Sequence, residues 1–318
     1  MAHRTLLNKN MLSPVGTFFY KLFRYLLLLG ISYVALFPII KMVSTSLSNA
    51  EEYFSNGAGF LPVSPTFENF KNSQSYFPIW KPMKVTLIVT VSCTIVSVFI
   101  CSLVGYGLGR YQFKGSNLVY AAVLFTIIMP IQTAQIPLVY YYRWFDFFGI
   151  GKIIGLFTGK DLTVNLLTNI SSLLVPALFG VGLNAGIFIF LFRQFFAGMS
   201  KDLEEAAKLD GCNPFKIYWK VMLPNIIPVL VTVILLSTIY YWNDSMVTGM
   251  LNLNIGNTLM VDVSKMISSH VGASELTWMR MQVEYYSILL LAVLPLVAVF
   301  IFCQKFFVEC MDRSGSKG

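Results

Sequence analysis

The polar residues most able to do chemistry cluster in one stretch, Phe192 to Pro228, which reads FRQFFAGMSKDLEEAAKLDGCNPFKIYWKVMLPNIIP. Its centre holds Glu204, Glu205, Ala206, Ala207, Asp210 and Gly211. Carboxylates at this spacing can pair with arginines of another protein, and alanines beside them let a second surface come close. The local signals are helix, break, helix. Ser200 is placed to cap a first helix, with Asp202, Glu204 and Glu205 near its positive end. Gly211 is the natural stop. Asn213 followed by Pro214 is a cap and a first helical position. On the residues alone two readings stay open: a solvated amphipathic loop, or a docking surface.

Other chemistries find little support. A phosphate-binding loop needs G-x-x-x-x-G-K-[ST]. Gly151-Lys152 is followed by Ile153, and Gly159-Lys160 by Asp161, so no nucleotide hydrolysis is expected on this chain. Cys93, Cys101, Cys212, Cys303 and Cys310 show no paired spacing, and the only histidines are His3 and His270. The cysteines read as small apolar fillers, and neither a metal site nor a cofactor is expected on the chain.

The elements that must carry this stretch are set by composition. Of 318 residues, 56% are hydrophobic and 12% charged, about half the charged share of a soluble domain. Mean hydropathy is +0.68. So much apolar surface calls for a bilayer, and the expected fold is all-α and polytopic. Six runs are long enough to span: Phe19–Ser44, Val85–Gly109, Leu118–Tyr142, Leu173–Phe195, Ile217–Trp242 and Ser287–Phe307. The first follows a polar, basic lead without a small-residue cleavage site and reads as a retained anchor.

Lysine and arginine predict the orientation. With both termini cytoplasmic, the inner segments hold fourteen of the 23 basic residues and six of the 15 acids, so the net +8 lies inside. Charge spread over short loops in this way answers to membrane orientation, and no nucleic-acid partner is expected. Three outer loops are long, near Leu47–Lys84, Arg143–Ser172 and Asn243–Tyr286. The glycine pairs Gly105/Gly109 and Gly182/Gly186 fit close helix packing. Pro224 and Pro228 would bend the start of the fifth span.

Polar groups at membrane depth are costly and mark candidate solute contacts. They are Gln132, Thr133 and Gln135 in the third span, Asn184 in the fourth, and Tyr240, Tyr241 and Asn243 near the end of the fifth. Amides and aromatic faces suit sugars; interhelical bonding and an interfacial aromatic belt suit the same residues. No acid sits at depth as a proton or sodium site, which weighs against an ion-coupled carrier.

The run Glu205, Ala206, Ala207, Gly211, Val221, Leu223, Pro224 resembles the "EAA" signature of ATP-binding-cassette importer permeases, with Val221 where isoleucine is usual. FLFRQFF, TIYYWNDS, MPIQTAQIPL, SLSNAEEYF and SPTFENF resemble the carbohydrate-uptake branch. The likeness is to the smaller permease of maltose-type importers. It implies a type I importer transmembrane architecture, with 1–318 one transmembrane domain and 200–216 its coupling loop. It implies that Glu204, Glu205, Ala206, Ala207, Asp210 and Gly211 dock on an ATPase, with Glu205 meeting an arginine. The implied partners are a second permease, two ATPase subunits that hold ATP and magnesium, an extracytoplasmic sugar-binding protein reached in part by Asn252–Thr258, and a carbohydrate solute. The implied location is a prokaryotic cytoplasmic membrane, crossed several times. The rival expectations are a polyamine or peptide permease of the same class, a stand-alone ion-coupled carrier or channel, and a membrane scaffold.

Overall fold

The computed structural model describes residues 14–55, 61–146, 149–159, 162–269 and 275–315. The described residues are helical apart from connections and one isolated antiparallel bridge, Phe145 to Val164. In chain order the helices are α1 (Pro14–Leu47), α2 (Ala50–Ser55), α3 (Glu68–Tyr76), α4 (Trp80–Arg110), α5 (Ser116–Ile128), α6 (Ile131–Arg143), α7 (Ile150–Thr158) and α8 (Ser171–Leu178). They continue with α9 (Ala185–Ala197), α10 (Asp202–Leu209), α11 (Pro214–Ile217), a π-helical turn (Tyr218–Met222), α12 (Leu223–Asn225), α13 (Ile227–Asn243), α14 (Met246–Leu251), α15 (Leu259–Ser269) and α16 (Glu275–Gly315).

Three helices, Gly16–Leu47, Trp80–Arg110 and Met281–Phe306, are each long and apolar enough to cross a membrane. They match the first, second and sixth expected spans. The other three expected spans are not continuous helices. The third breaks at Met129 and Pro130 into α5 and α6, because proline closes no bond to the preceding turn and disfavours helix in the residue before it. The fourth breaks between α8 and α9, where Gly180 and Asn184 take positive φ angles of 71° and 55°. The fifth is a pair, Pro214–Asn225 and Ile227–Asn243, bent by 81°.

The chain divides into two compact units. The described parts of Met1–Phe77 and Ala273–Leu291 form one. Here α1 carries its apolar side chains on an almost wholly exposed surface, a face that lipid or another helix must cover. Its last turn is tied down by polar contacts. The Asn69 side-chain amide donates to the carbonyls of Ser46 (2.9 Å) and Ser48 (2.8 Å), and Ser287 Oγ donates to Ser46 O at 3.3 Å. The Tyr76 hydroxyl donates to Glu284 at 2.6 Å, and partial burial together with that carboxylate holds the phenol well above its usual range.

The second unit, Pro78–Gly272 with Ala292–Gly318, is built on α4, along which α8, α9 and α13 pack. One stripe of α4 explains why. Thr86, Thr90, Cys93, Ser97, Cys101 and Gly105 recur at helical spacing and are all buried. Small side chains let neighbouring backbones approach, and hydroxyls supply bonds between helices where no water competes. Ser97 pairs with the Tyr241 hydroxyl at 2.9 Å, Ser237 donates to Thr94 at 3.2 Å, and Ser102 pairs with the Tyr218 hydroxyl at 2.6 Å. Cys93 and Cys101 fill the same stripe, as expected of small apolar fillers. At Gly105 an added Cβ would stand 2.5 Å from Phe192 Cβ, and at Gly109 it would stand 3.1 Å from Arg193 O. Both glycines therefore mark the α4–α9 crossing, and Gly186 plays the same part against α5.

Candidate functional site

The Phe192–Pro228 stretch folds as its residues dictate. Asp202 N donates to Ser200 Oγ at 3.2 Å, and α10 begins at Asp202 with Lys201 as its boundary residue. The serine therefore works one residue ahead of the cap position read from sequence. Asp202, Glu204 and Glu205 lie in the first turn, where helix dipole and acid attract. At the other end Gly211 has φ +77°. Gly211 N donates to Lys208 O and Cys212 N to Ala207 O, both at 3.0 Å. This pair of bonds is a Schellman stop, and it needs the left-handed backbone that glycine alone adopts without strain. Asn213 Oδ1 then accepts from Lys216 N at 2.8 Å with Pro214 at the first helical position.

The second helix is then deformed in steps. The chain widens into the π turn Tyr218–Met222. Pro224 and Pro228 supply no N–H, so the bonding ladder fails on both sides of Ile226, and the 81° bend falls there. The Asn225 side-chain amide donates to Val221 O at 2.7 Å, serving a carbonyl in the disrupted ladder. Val221 and Leu223 pack against the core from this turn.

One face of the segment is glued down and the other is open. Ala207 is buried in the cluster that holds Tyr106, Phe196 and Tyr218, whose rings lie 5.2–5.3 Å from Tyr106 to its two neighbours. Ala206, by contrast, faces out, as do Leu203, Glu205, Asp210 and Phe215, and Leu209 is 90% exposed. Leu203, Leu209 and Phe215 thus expose apolar side chains among the charges of a capped helix–turn–helix.

Glu204 behaves differently from its neighbour. Its carboxylate accepts from Arg110 Nε at 2.8 Å and from the Tyr106 hydroxyl at 3.3 Å. Arg110 also donates to the carbonyls of Phe196 (3.3 Å), Met199 (2.8 Å) and Ser200 (3.3 Å). Sequence reasoning read Glu204 as outward charge and did not single out Arg110. The signal was available: helical spacing from Ala207 inward puts position 204, three residues back, on the buried side.

The expected solute-facing residues do not gather in one place. The side chains of Gln132 and Gln135 lie outside the described residues. Thr133 is exposed and donates to Pro130 O at 2.8 Å. Asn184 is exposed at the α8–α9 break, and its carbonyl accepts from Ile187 N at 3.1 Å. Tyr240 and Asn243 reach the surface of α13, with Tyr240 6.2 Å from Phe188 by ring centres. Tyr241 is 1% exposed and spends its hydroxyl on Ser97, so it is a packing residue. The Asn252–Thr258 stretch is anchored: Asn254 N donates to Thr168 O at 2.5 Å, its side chain donates to Asn169 Oδ1 at 2.8 Å, and Leu259 N donates to Thr86 Oγ1 at 2.7 Å.

The chain thus sets a capped helix–turn–helix against one end of α4, in a core of apolar helices. The model of the binding-protein-dependent transport system inner membrane components matches residues 101–313, and the chain belongs to that family. Its members are membrane components of importers, which carry no catalytic centre of their own. The chain is 25% identical over 307 residues to the arabinooligosaccharides transport system permease protein AraQ of Bacillus subtilis, covering 94% of this chain and 96% of that one. It is 27% identical over 310 residues to the polygalacturonan/rhamnogalacturonan transport system permease protein YtcP of the same organism, with 92% and 96% covered. Among solved structures, a chain of a bacterial ABC transporter involved in the import of the acidic polysaccharide alginate matches with a TM-score of 0.68 and 25% identity, covering 91% of this chain and 96% of that one.

Proposed function

We propose that the chain is one of two permease subunits of an ATP-driven carbohydrate importer, most suited to oligosaccharides. The observation that carries the reading is the segment from Asp202 to Lys216, rigidly capped at both turns and presenting Glu205, Ala206, Leu209, Asp210 and Phe215 outward. It docks on an ATPase subunit, with Glu205 meeting an arginine, while Gly211 shapes the turn. The sugar-transport names of the relatives favour a carbohydrate over a polyamine or peptide.

In this reading the chain is a single transmembrane domain, 1–318, with 200–216 as its coupling loop. It crosses the prokaryotic cytoplasmic membrane six times, three of the spans being broken or bent. Both termini are cytoplasmic. Two sets of contacts support the sidedness. Arg110, at one end of α4, meets the 200–216 loop, whereas Thr86, near the other end, accepts from Leu259 N, the residue directly after the 252–258 stretch. The expected inner and outer segments thus fall at opposite ends of α4.

ATP and magnesium belong to the ATPase partners. Their closure moves the docked segment, and the bent pair α11–α13 tilts the helix core between inward- and outward-open states. ATP drives this only through different affinities for the two states. A sugar-binding protein delivers the solute above the 252–258 stretch, and Asn184, Tyr240 and Asn243 line its route. Purification of the chain with its cellular partners tests the assignment. A second permease and an ATPase are expected to come with it; a homomer that transports solute without either contradicts it.

A further inference from the structure

The proposed lever runs from the docked segment into α13, yet α4 is the helix on which α8, α9 and α13 all pack. The geometry points to a second path. We propose that Arg110 is a positioning residue that latches the coupling helix α10 to the end of α4 through Glu204, so that movement of α10 is delivered directly to the central helix. The inference rests on the importer reading above and assigns Glu204 to this internal role.

Four features carry it. Arg110 is the last residue of α4, and its side chain is only 4% exposed against 14% for Glu204. The ion pair is short, at 2.8 Å. Three of the four remaining guanidinium N–H groups donate to carbonyls at the end of α9 and in the turn before α10. A cation is favoured at the C-terminal end of a helix, and the planar fork suits several acceptors at once, which an ammonium cannot match. Tyr106, one turn back on α4, adds its hydroxyl to the same Glu204 oxygen. Three elements therefore meet at one side chain. A buried charge pair is stiff in one sense above all: removing either partner strands the other.

The neighbouring acid sharpens the contrast. Glu205 faces out and has no side-chain hydrogen bond or ion pair among the described residues. Adjacent glutamates thus divide the work, Glu205 toward the partner and Glu204 toward α4.

Hydrogen–deuterium exchange on the complex purified with its ATPase tests this. Wild type is compared with Glu204→Gln, Glu205→Gln and Arg110→Lys, without nucleotide and with ATP and vanadate. The wild type is expected to show a nucleotide-driven change in exchange over 101–110. In Glu204→Gln, exchange over 202–209 rises at least threefold and the nucleotide-driven change over 101–110 is lost. Arg110→Lys, which keeps the charge without the fork, falls between. Glu205→Gln leaves nucleotide-free exchange over 202–209 as in wild type. The latch is overturned if Glu204→Gln exchanges like wild type over 202–209 or keeps the nucleotide response over 101–110. It is equally overturned if exchange rises throughout the helix core, since that marks a general packing role. An ATPase that never joins the wild-type chain overturns the importer reading, and the nucleotide-free comparison then decides the latch alone.

Discussion

At the scale of single residues, the coupling segment shows how conformation and chemistry are divided. Gly211 supplies shape. At φ +77° any other residue pays for the left-handed backbone, about 1 kcal/mol for alanine, and proline, whose φ is fixed near −65°, cannot adopt it at all. We expect Gly211→Ala to lower the thermal midpoint of the purified complex slightly and Gly211→Pro to abolish ATP-coupled uptake. Equal uptake by both variants would show that the stop is dispensable. Asn69 supplies order at a distance, since its amide holds two carbonyls at the end of α1. Asn69→Ala removes the side-chain donor to the Ser48 carbonyl and leaves the Ser46 carbonyl with Ser287 alone, and is expected to cost about 1–3 kcal/mol, read by thermal unfolding. Helix stops, caps and exposed acids of this kind were legible in the sequence, because each depends on neighbours in the chain. Arg110 and Asn69 were not, because what they do depends on which helix ends fold together.

At the scale of elements, the second unit packs the interrupted stretches α8–α9 and α11–α13 along one continuous helix, α4. Hydropathy located the apolar stretches and gave α1 and α4 nearly as they stand, but only the apolar middle of α16. It could not show that three of the six stretches break, since an average over a window is blind to one missing hydrogen bond. Proline and positive-φ residues carried that information: Pro130, Pro224 and Pro228 lie at two of the breaks and Asn184 at the third. The small-residue stripe of α4 was partly legible through Gly105 and Gly109. Its hydroxyl partners were not, because Tyr241 and Tyr218 reach it from distant sequence. Gly105→Leu is expected to part α4 from α9, since even a Cβ would overlap Phe192. Overpacking of this kind costs about 1–3 kcal/mol or more, and a loss of assembled complex in detergent would register it. Full assembly and stability would contradict the close crossing.

For the molecule as a whole, charge, apolar content and the coupling motif together identified the class, whereas the solute route stayed diffuse. The expected contacts are spread over α6, the α8–α9 break and α13, and in the proposed importer a second permease completes the route. The central claim is that an outward face on 202–216 carries force from a separate ATPase into the membrane helices. It is tested most directly by solute uptake and ATP hydrolysis in proteoliposomes holding the complete complex, with Glu205→Lys set beside wild type. The account predicts that charge reversal cuts ATP-driven uptake at least tenfold and weakens ATPase retention. Uptake and retention equal to wild type would contradict it.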